Sequence, residues 1–418
     1  MPVSKSPYSL VFDPALYFGV FLFLVLTSLH HQWPFTSLYN IEYILLPAGT
    51  VALVLRLRTH PGPWPWRPVV GIWLVGFVIG IAPVFSHALN HYDGAILSDS
   101  NWRSLMKIYA AAGGTLLAFY RRKTALLNVA ALSMAAFAVI FLVHRFVYNE
   151  VEAETLRPIL NTTHGDPNFI ASLLVAGLPM LAYLWLQNRR LGKHGQNLLG
   201  FGAAVLSLTV IVLTESRMAL IAMALAGGLA LWRVKWPVSR ARIIAALIGC
   251  IVIAGALGGS QVVDRFQNLA DDSNQDRVRS IENGWVMFQQ KPFFGHGMHS
   301  AWRNFYKNSG YGVLEDESRG IDIHNAPMQV LAELGLVGLG AHLVMLAFAV
   351  SALIAARRQD PALATLGLAS LISLGINMLS LPMAHQYIFH QWLLVIVVSA
   401  WLTASEVSGK SPAKPVAI

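Results

Sequence analysis

About twelve stretches of this chain are long and apolar enough to be transmembrane helices. They centre near 13–29, 38–55, 69–86, 103–120, 124–143, 168–187, 198–214, 217–232, 243–260, 334–356, 362–380 and 387–404. Crossing roughly 30 Å of hydrocarbon takes about 20 apolar residues in a helix. Only helices or closed barrels can satisfy their own backbone there, so an all-α integral membrane protein is expected. The fourth stretch is the weakest, opened by Arg103 and Lys107 and interrupted by Gly113 and Gly114. Hydrophobic residues make up 55% of the chain and charged residues 12%, against about 25% charged in a soluble domain.

The connections set the orientation. Those at 30–37, 87–101 and 381–386 contain no Lys or Arg. Alternating with them are Arg56, Arg58 and Arg67; Arg121, Arg122 and Lys123; Arg189, Arg190 and Lys193; Arg233, Lys235, Arg240 and Arg242; and Arg357 and Arg358. By the positive-inside rule the basic loops face the cytoplasm, and an even number of crossings puts both termini there. The net charge of +9 is spread over these short loops and the tails. Nucleic-acid binding needs charge gathered on one face, so none is expected. The single cysteine, Cys250, lies mid-span, which excludes a disulfide or a thiolate metal cage. The first segment reads as a retained helix rather than a signal peptide.

Three regions follow: 1–260 with nine transmembrane helices, 261–326 as a helical outer loop, and 327–418 with three further helices and a tail. Another long outer connection is 144–167. Within the large loop Val278, Ile281, Trp285 and Phe288 recur at helical spacing. This predicts an amphipathic helix along the membrane surface or over a cavity mouth, ended by Pro292, Gly295 and Gly297. A further helical stretch is expected at 300–307. After the loop, His324-Asn325-Ala326-Pro327 begins a long apolar run. Pro327 suits a first helical turn and Asn325 or Asp322 a cap. The run is too long to cross as one straight helix, so its first turns project outward or break near Gly335 and Gly338.

Against the charge rule, the outer face holds Arg145, Arg157, Arg217, Arg265, Arg277, Arg279, Arg303 and Arg319. Arg265, Arg303 and Arg319 read as solvated loop charges. Arg217, in the tight turn Thr214-Glu215-Ser216-Arg217, is either a snorkelling side chain or a ligand for an anion. Arg145 and Arg277 fall at the water–lipid boundary. Arginines gathered there suit a polyanionic, lipid-linked substrate, because guanidinium forks match phosphate oxygens in pairs and stay charged. His324 stands at a helix N-terminus, where the positive end of the helix disfavours imidazolium. It is either a capping histidine or a proton acceptor. His296 and His299 have metal-pair spacing without a third ligand, in a turn-forming context. No Gly-x-Ser-x-Gly elbow, P-loop or His-Glu-x-x-His is present.

Four stretches resemble the O-antigen ligase and polymerase superfamily of bacterial envelope glycosyltransferases. They are Gly165-Asp166-Pro167-Asn168 before a segment with Pro179; Thr214-x-Ser216-Arg217; Arg277 and Trp285 followed by Pro292-Phe293-Phe294-Gly295-His296-Gly297; and His324-Asn325 through Glu333, Gly335 and Gly338. Arg277 lies two residues further from Trp285 than in the family's pattern, which makes Arg279 a rival. The resemblance implies a GT-C-like fold of about twelve transmembrane helices in the bacterial inner membrane. It implies transfer of O-antigen from undecaprenyl diphosphate to lipid A–core on the periplasmic face, with inversion and with neither metal nor cofactor. His324 would be the catalytic base, and Arg217, Arg277, Arg145 and Arg157 would hold the diphosphate. Asn325, Asp166, Asn168 and Arg279 would support them. Alternatives within the resemblance are an O-antigen polymerase, whose acceptor is a second lipid-linked glycan, and a protein O-oligosaccharyltransferase. A transporter or flippase would show repeat symmetry and mid-span ionisable residues, and neither is visible.

Overall fold

In the computed structural model, residues 11–27, 41–59, 64–90, 100–147, 167–256, 272–301, 322–383 and 387–408 are described. They form thirteen helices: α1 Pro14–Thr27, α2 Glu42–Thr59, α3 Trp66–Leu89, α4 Ser100–Ala118, α5 Lys123–Phe146, α6 Pro167–Arg190, α7 His194–Leu213, α8 Arg217–Arg233, α9 Arg240–Ala256, α10 Asp272–Gln290, α11 Ala326–Arg357, α12 Pro361–Met378 and α13 Tyr387–Ser408. Twelve coincide with the apolar stretches, and α10 is the expected loop helix. Six of them (α3, α5, α6, α7, α11 and α12) are long and apolar enough to cross a membrane, and shorter apolar helices cover Pro14–Thr27 and Phe389–Ala404. This is a multi-pass membrane protein. The expected helix at 300–307 lies almost wholly outside the described residues.

The bundle is organised around α6, which packs against α5, α7, α8, α12 and α13. Its buried residues surround the axis, from Ile170 and Leu174 to Tyr183 and Leu184. A helix apolar all round belongs inside a bundle. The weak fourth stretch is a full helix because its neighbours use the glycines: a Cβ at Gly113 would lie 2.4 Å from Trp73 Nε1, and one at Gly114 2.6 Å from Phe18 Cζ. The large rings of α3 and α1 fill the notch that α4 leaves.

One end of the bundle carries the basic loops. The other is covered by α10 and by residues 291–301, and it is called the capped end below. There α11 is interrupted. Gly335 leaves the helical region, with φ 64° and ψ −161°, a conformation that glycine adopts without steric cost. The break strands the carbonyls of Ala332 and Glu333 and the amides of Leu336 and Val337. The loop after α10 takes up all four. His296 N–H donates to Ala332 O (3.0 Å), Gly297 N–H to Glu333 O (2.9 Å), Leu336 N–H to Pro292 O (2.8 Å) and Val337 N–H to Phe293 O (3.1 Å). Buried backbone groups must be paired, and here loop and helix exchange partners. The approach is close enough that a Cβ at Gly295 would meet Glu333 C at 2.3 Å, and one at Gly335 would meet Phe293 C at 2.4 Å.

Candidate active site

At the capped end, α10 docks on α11 through a narrow face. Ser280, Asn283, Gly284 and Met287 are buried, whereas Val278 and Trp285 are exposed. The helix expected from the periodicity forms, with part of its apolar stripe turned outward and its small polar side against the protein. A Cβ at Gly284 would meet Met328 Cγ at 2.7 Å, so close docking requires glycine there.

Ser280 joins α10 to the start of α11. Its hydroxyl donates to Arg277 O (2.8 Å) and accepts from His324 N–H (3.2 Å). Asn325 then caps α11, its Oδ1 accepting from Met328 N–H (3.0 Å) with Pro327 in the first turn. Its amide donates to Leu379 O (3.2 Å), just past the end of α12. Asn325 is thus a cap and a tie between two helices. The backbone at His324 is fixed on both sides.

The imidazole of His324 is partly buried, with Nδ1 2.9 Å from Asp322 O. A carbonyl can only accept, so Nδ1 is the protonated nitrogen in the neutral ring. Nε2 therefore carries the lone pair. A tautomer set by a backbone carbonyl, with the opposite nitrogen able to take a proton, is the arrangement a general base needs.

Arg277 is half-buried on the first turns of α10, and Arg279 is exposed. Burial beside Ser280 favours Arg277 of the two rivals. Arg217 begins α8 and is half-buried, after a turn in which Thr214, Glu215 and Ser216 are all buried. Glu215 has φ 54°, uncommon for a side chain larger than glycine and characteristic of functional turns. Leu366 near the start of α12 and Ala230 near the end of α8 line one cavity, so the two helices run antiparallel. Arg217 therefore lies at the same end of α12 as Leu379 and Asn325. Arg145 ends α5, half-buried, its guanidinium carbon 5.9 Å from the Phe146 ring. Asn168 lies in the first turn of α6, where its carbonyl accepts from Ser172 Oγ (2.7 Å). Arg157 and Asp166 lie outside the described residues.

Two features escaped the sequence reading. Glu333 is fully buried, and its carboxylate accepts from Ala301 N–H (3.0 Å) while its carbonyl accepts from Ser86 Oγ (3.0 Å). It is an anchor for the loop. Asn90 at the end of α3 donates to Gly295 O (2.9 Å) and accepts from Lys291 Nζ. The signal for both was the recurrence of glycine in two separated motifs, which marks places where backbones meet. His296 Nε2 lies 2.9 Å from Met287 O. Burial pushes its imidazole below the ordinary range, aided by the Lys291 charge and opposed by the bond to Met287 O. Among the described residues, no three His, Cys, Asp or Glu side chains converge to hold a metal ion.

The fold and this site define a multi-pass membrane protein that presents arginines and a histidine at one end of a helical bundle. A family model described as O-antigen ligase matches residues 202–343, about a third of the chain, and supports an assignment to the O-antigen ligase family. The matched stretch contains Arg217, Arg277, His324, Asn325 and both partners of the loop–helix exchange. No curated protein matches the chain. The family carries a ligase- or polymerase-type glycosyltransferase activity and lipid-linked polysaccharide partners in general.

Proposed function

We propose that this protein is an O-antigen ligase of the bacterial inner membrane, with about twelve crossings, both termini cytoplasmic and the capped end in the periplasm. It transfers O-antigen from undecaprenyl diphosphate to a hydroxyl of lipid A–core. His324 Nε2 takes the proton of the acceptor hydroxyl as its oxygen attacks the anomeric carbon. The glycosidic C–O bond breaks on the opposite face, and the diphosphate leaves with the bonding pair. Attack opposite the leaving group inverts the anomeric centre. Arg217 and Arg277, with Arg145 and Arg157, neutralise the departing diphosphate without a metal, as fixed charges aimed at developing charge do. Asn325 and Arg279 support the site, as do Asp166 and Asn168.

The observation that carries this reading is the His324 geometry. One nitrogen is committed to Asp322 O and the backbone is held by Ser280, in the turn that also presents Arg277. The test is transfer by purified protein, assayed with excess EDTA. His324→Ala should retain donor binding and detergent stability yet transfer almost nothing. Substantial turnover by His324→Gln would reduce the residue to a hydrogen-bonding role, and rescue by Mg²⁺ or Mn²⁺ after chelation would overturn metal independence. The polymerase alternative is separated by the phenotype of a knockout. Ligase loss leaves lipid A–core bare with carrier-linked polymer accumulating, whereas polymerase loss leaves cores capped with single repeats.

A further inference from the structure

A second concavity lies away from this site, toward the basic end. It has a volume of about 350 Å³, and its lining is almost entirely apolar. α8 packs on α6 and α12 while α9 packs on α7, and the cleft is the space left between these two pairings. Its walls are kept thin by Gly200, Ala226, Gly227 and Ala246. A Cβ at Gly227 would meet nothing within 4 Å, so the space beside it is open. Leu225 on α8 and Ile244 and Ile248 on α9 are exposed beside it, so the cleft faces the bilayer.

Polarity changes sharply at the basic end. Trp185 and Trp236 line the cleft there with ring centroids 6.3 Å apart. The Arg189 guanidinium carbon stands 5.5 Å from the Trp185 ring, and Arg242 is itself part of the lining. Tryptophans beside arginines mark the depth of lipid headgroups. A peptide or sugar in the cleft would leave its polar groups without partners, whereas a hydrocarbon chain has none to satisfy. Basic side chains at the mouth of a cleft between transmembrane helices are suited to a lipid phosphate.

We propose that this cleft holds an acyl chain of an anionic glycerophospholipid from the leaflet at the basic end, with its phosphate against Arg242. The site is separate from the capped end and does not rest on the glycosyl-transfer reading. The test is native mass spectrometry of the full-length protein released from detergent, titrated with phosphatidylglycerol or with phosphatidylcholine of the same chains. Wild type should retain one tightly bound phosphatidylglycerol, about fivefold more strongly than phosphatidylcholine for a single arginine contact. Gly227→Leu fills the open space and should remove that lipid. Arg242→Ala, an exposed position that leaves the bundle intact, should abolish the preference and keep the weaker binding. Arg190→Ala, at the same end but outside the lining, should behave as wild type. Equal retention of the two lipids by wild type would overturn the assignment, as would phosphatidylglycerol retention unchanged in both variants. Displacement of the lipid by an isoprenyl diphosphate would assign the cleft to that ligand instead.

Discussion

The two ends of the bundle use similar residues in opposite ways. At the basic end, charge is buried and neutralised. Lys123 and Asp360 are almost completely buried with Nζ and Oδ2 3.9 Å apart; Tyr183 donates to Asp360 (2.6 Å) and Lys123 to Thr403 (3.0 Å). Asp360 also caps α12 through Leu363 N–H (3.1 Å). One carboxylate thus ties α5, α6 and α12 together, and the lysine extends the tie to α13. At the capped end Arg145, Arg217 and Arg277 are only half-buried, and the buried Glu333 carboxylate serves the rearranged backbone by accepting from Ala301 N–H. A buried charge with full partners fixes a structure, whereas a half-exposed arginine on a rigid frame stays within reach of an anion in solvent.

The largest effect should come from the frame at the capped end. Gly335→Ala forces a side chain against Phe293 backbone at a positive φ, and should yield little monodisperse protein on size-exclusion chromatography. Gly340→Ala, five residues along the same helix, meets nothing within 4 Å and should purify normally. Equal yields would mean that loop and helix do not depend on each other.

Next come the two kinds of charge. Asp360→Asn keeps the shape but leaves Lys123 without its counter-charge, and breaking a buried pair costs about 3–5 kcal/mol. Thermal unfolding in detergent should shift down clearly while the specific activity of the folded fraction stays near wild type. Arg217→Ala and Arg277→Ala should do the reverse. Their unfolding should shift less than that of Asp360→Asn, and transfer should fall about a hundredfold, the equivalent of one lost transition-state contact of about 3 kcal/mol. Arg217→Lys should recover little, since an ammonium lacks the paired fork, and Arg319→Ala should stay near wild type. Arginine variants that unfold with activity intact would erase the contrast between the ends.

The smallest effect concerns His296. Its folded imidazole titrates below the ordinary range, so the unfolded loop binds a proton more readily. Stability at the capped end is therefore complete above the ordinary imidazole range and decreases as pH falls through it. His296→Asn should flatten that slope in hydrogen exchange of residues 291–301, while leaving transfer at neutral pH near wild type. An unchanged slope would place the titrating group elsewhere.

Helix positions were legible because each needs only local apolar content, and even the weak α4 formed. The positions of His324, Asn325 and Arg277 were legible from caps and spacing. The docking face of α10 was less so. Periodicity shows that one side of a helix is apolar; here the side with Ser280, Asn283 and Gly284 makes the contact because α11 approaches too closely for larger residues. The hydrogen-bond exchange at Gly335 was invisible for a related reason. It involves backbone atoms, which every residue carries, and only the glycines hinted at it. Lys123 reads in sequence as one more loop cation, and nothing local reveals that Asp360 meets it.

The break in α11 also has a consequence in time. Residues 292–297 are synthesised before the helix they complete, so the loop is already beyond the ribosome when α11 emerges. Until the two meet, the helix has open backbone groups near the membrane boundary, each costing several kcal/mol if exposed to hydrocarbon. A chain whose loop has misfolded cannot seat α11 stably, and α12 and α13 follow from it. Assembly of the capped end thus acts as a checkpoint on the last three helices of the protein, so that a bundle fully inserted is one whose site has been built.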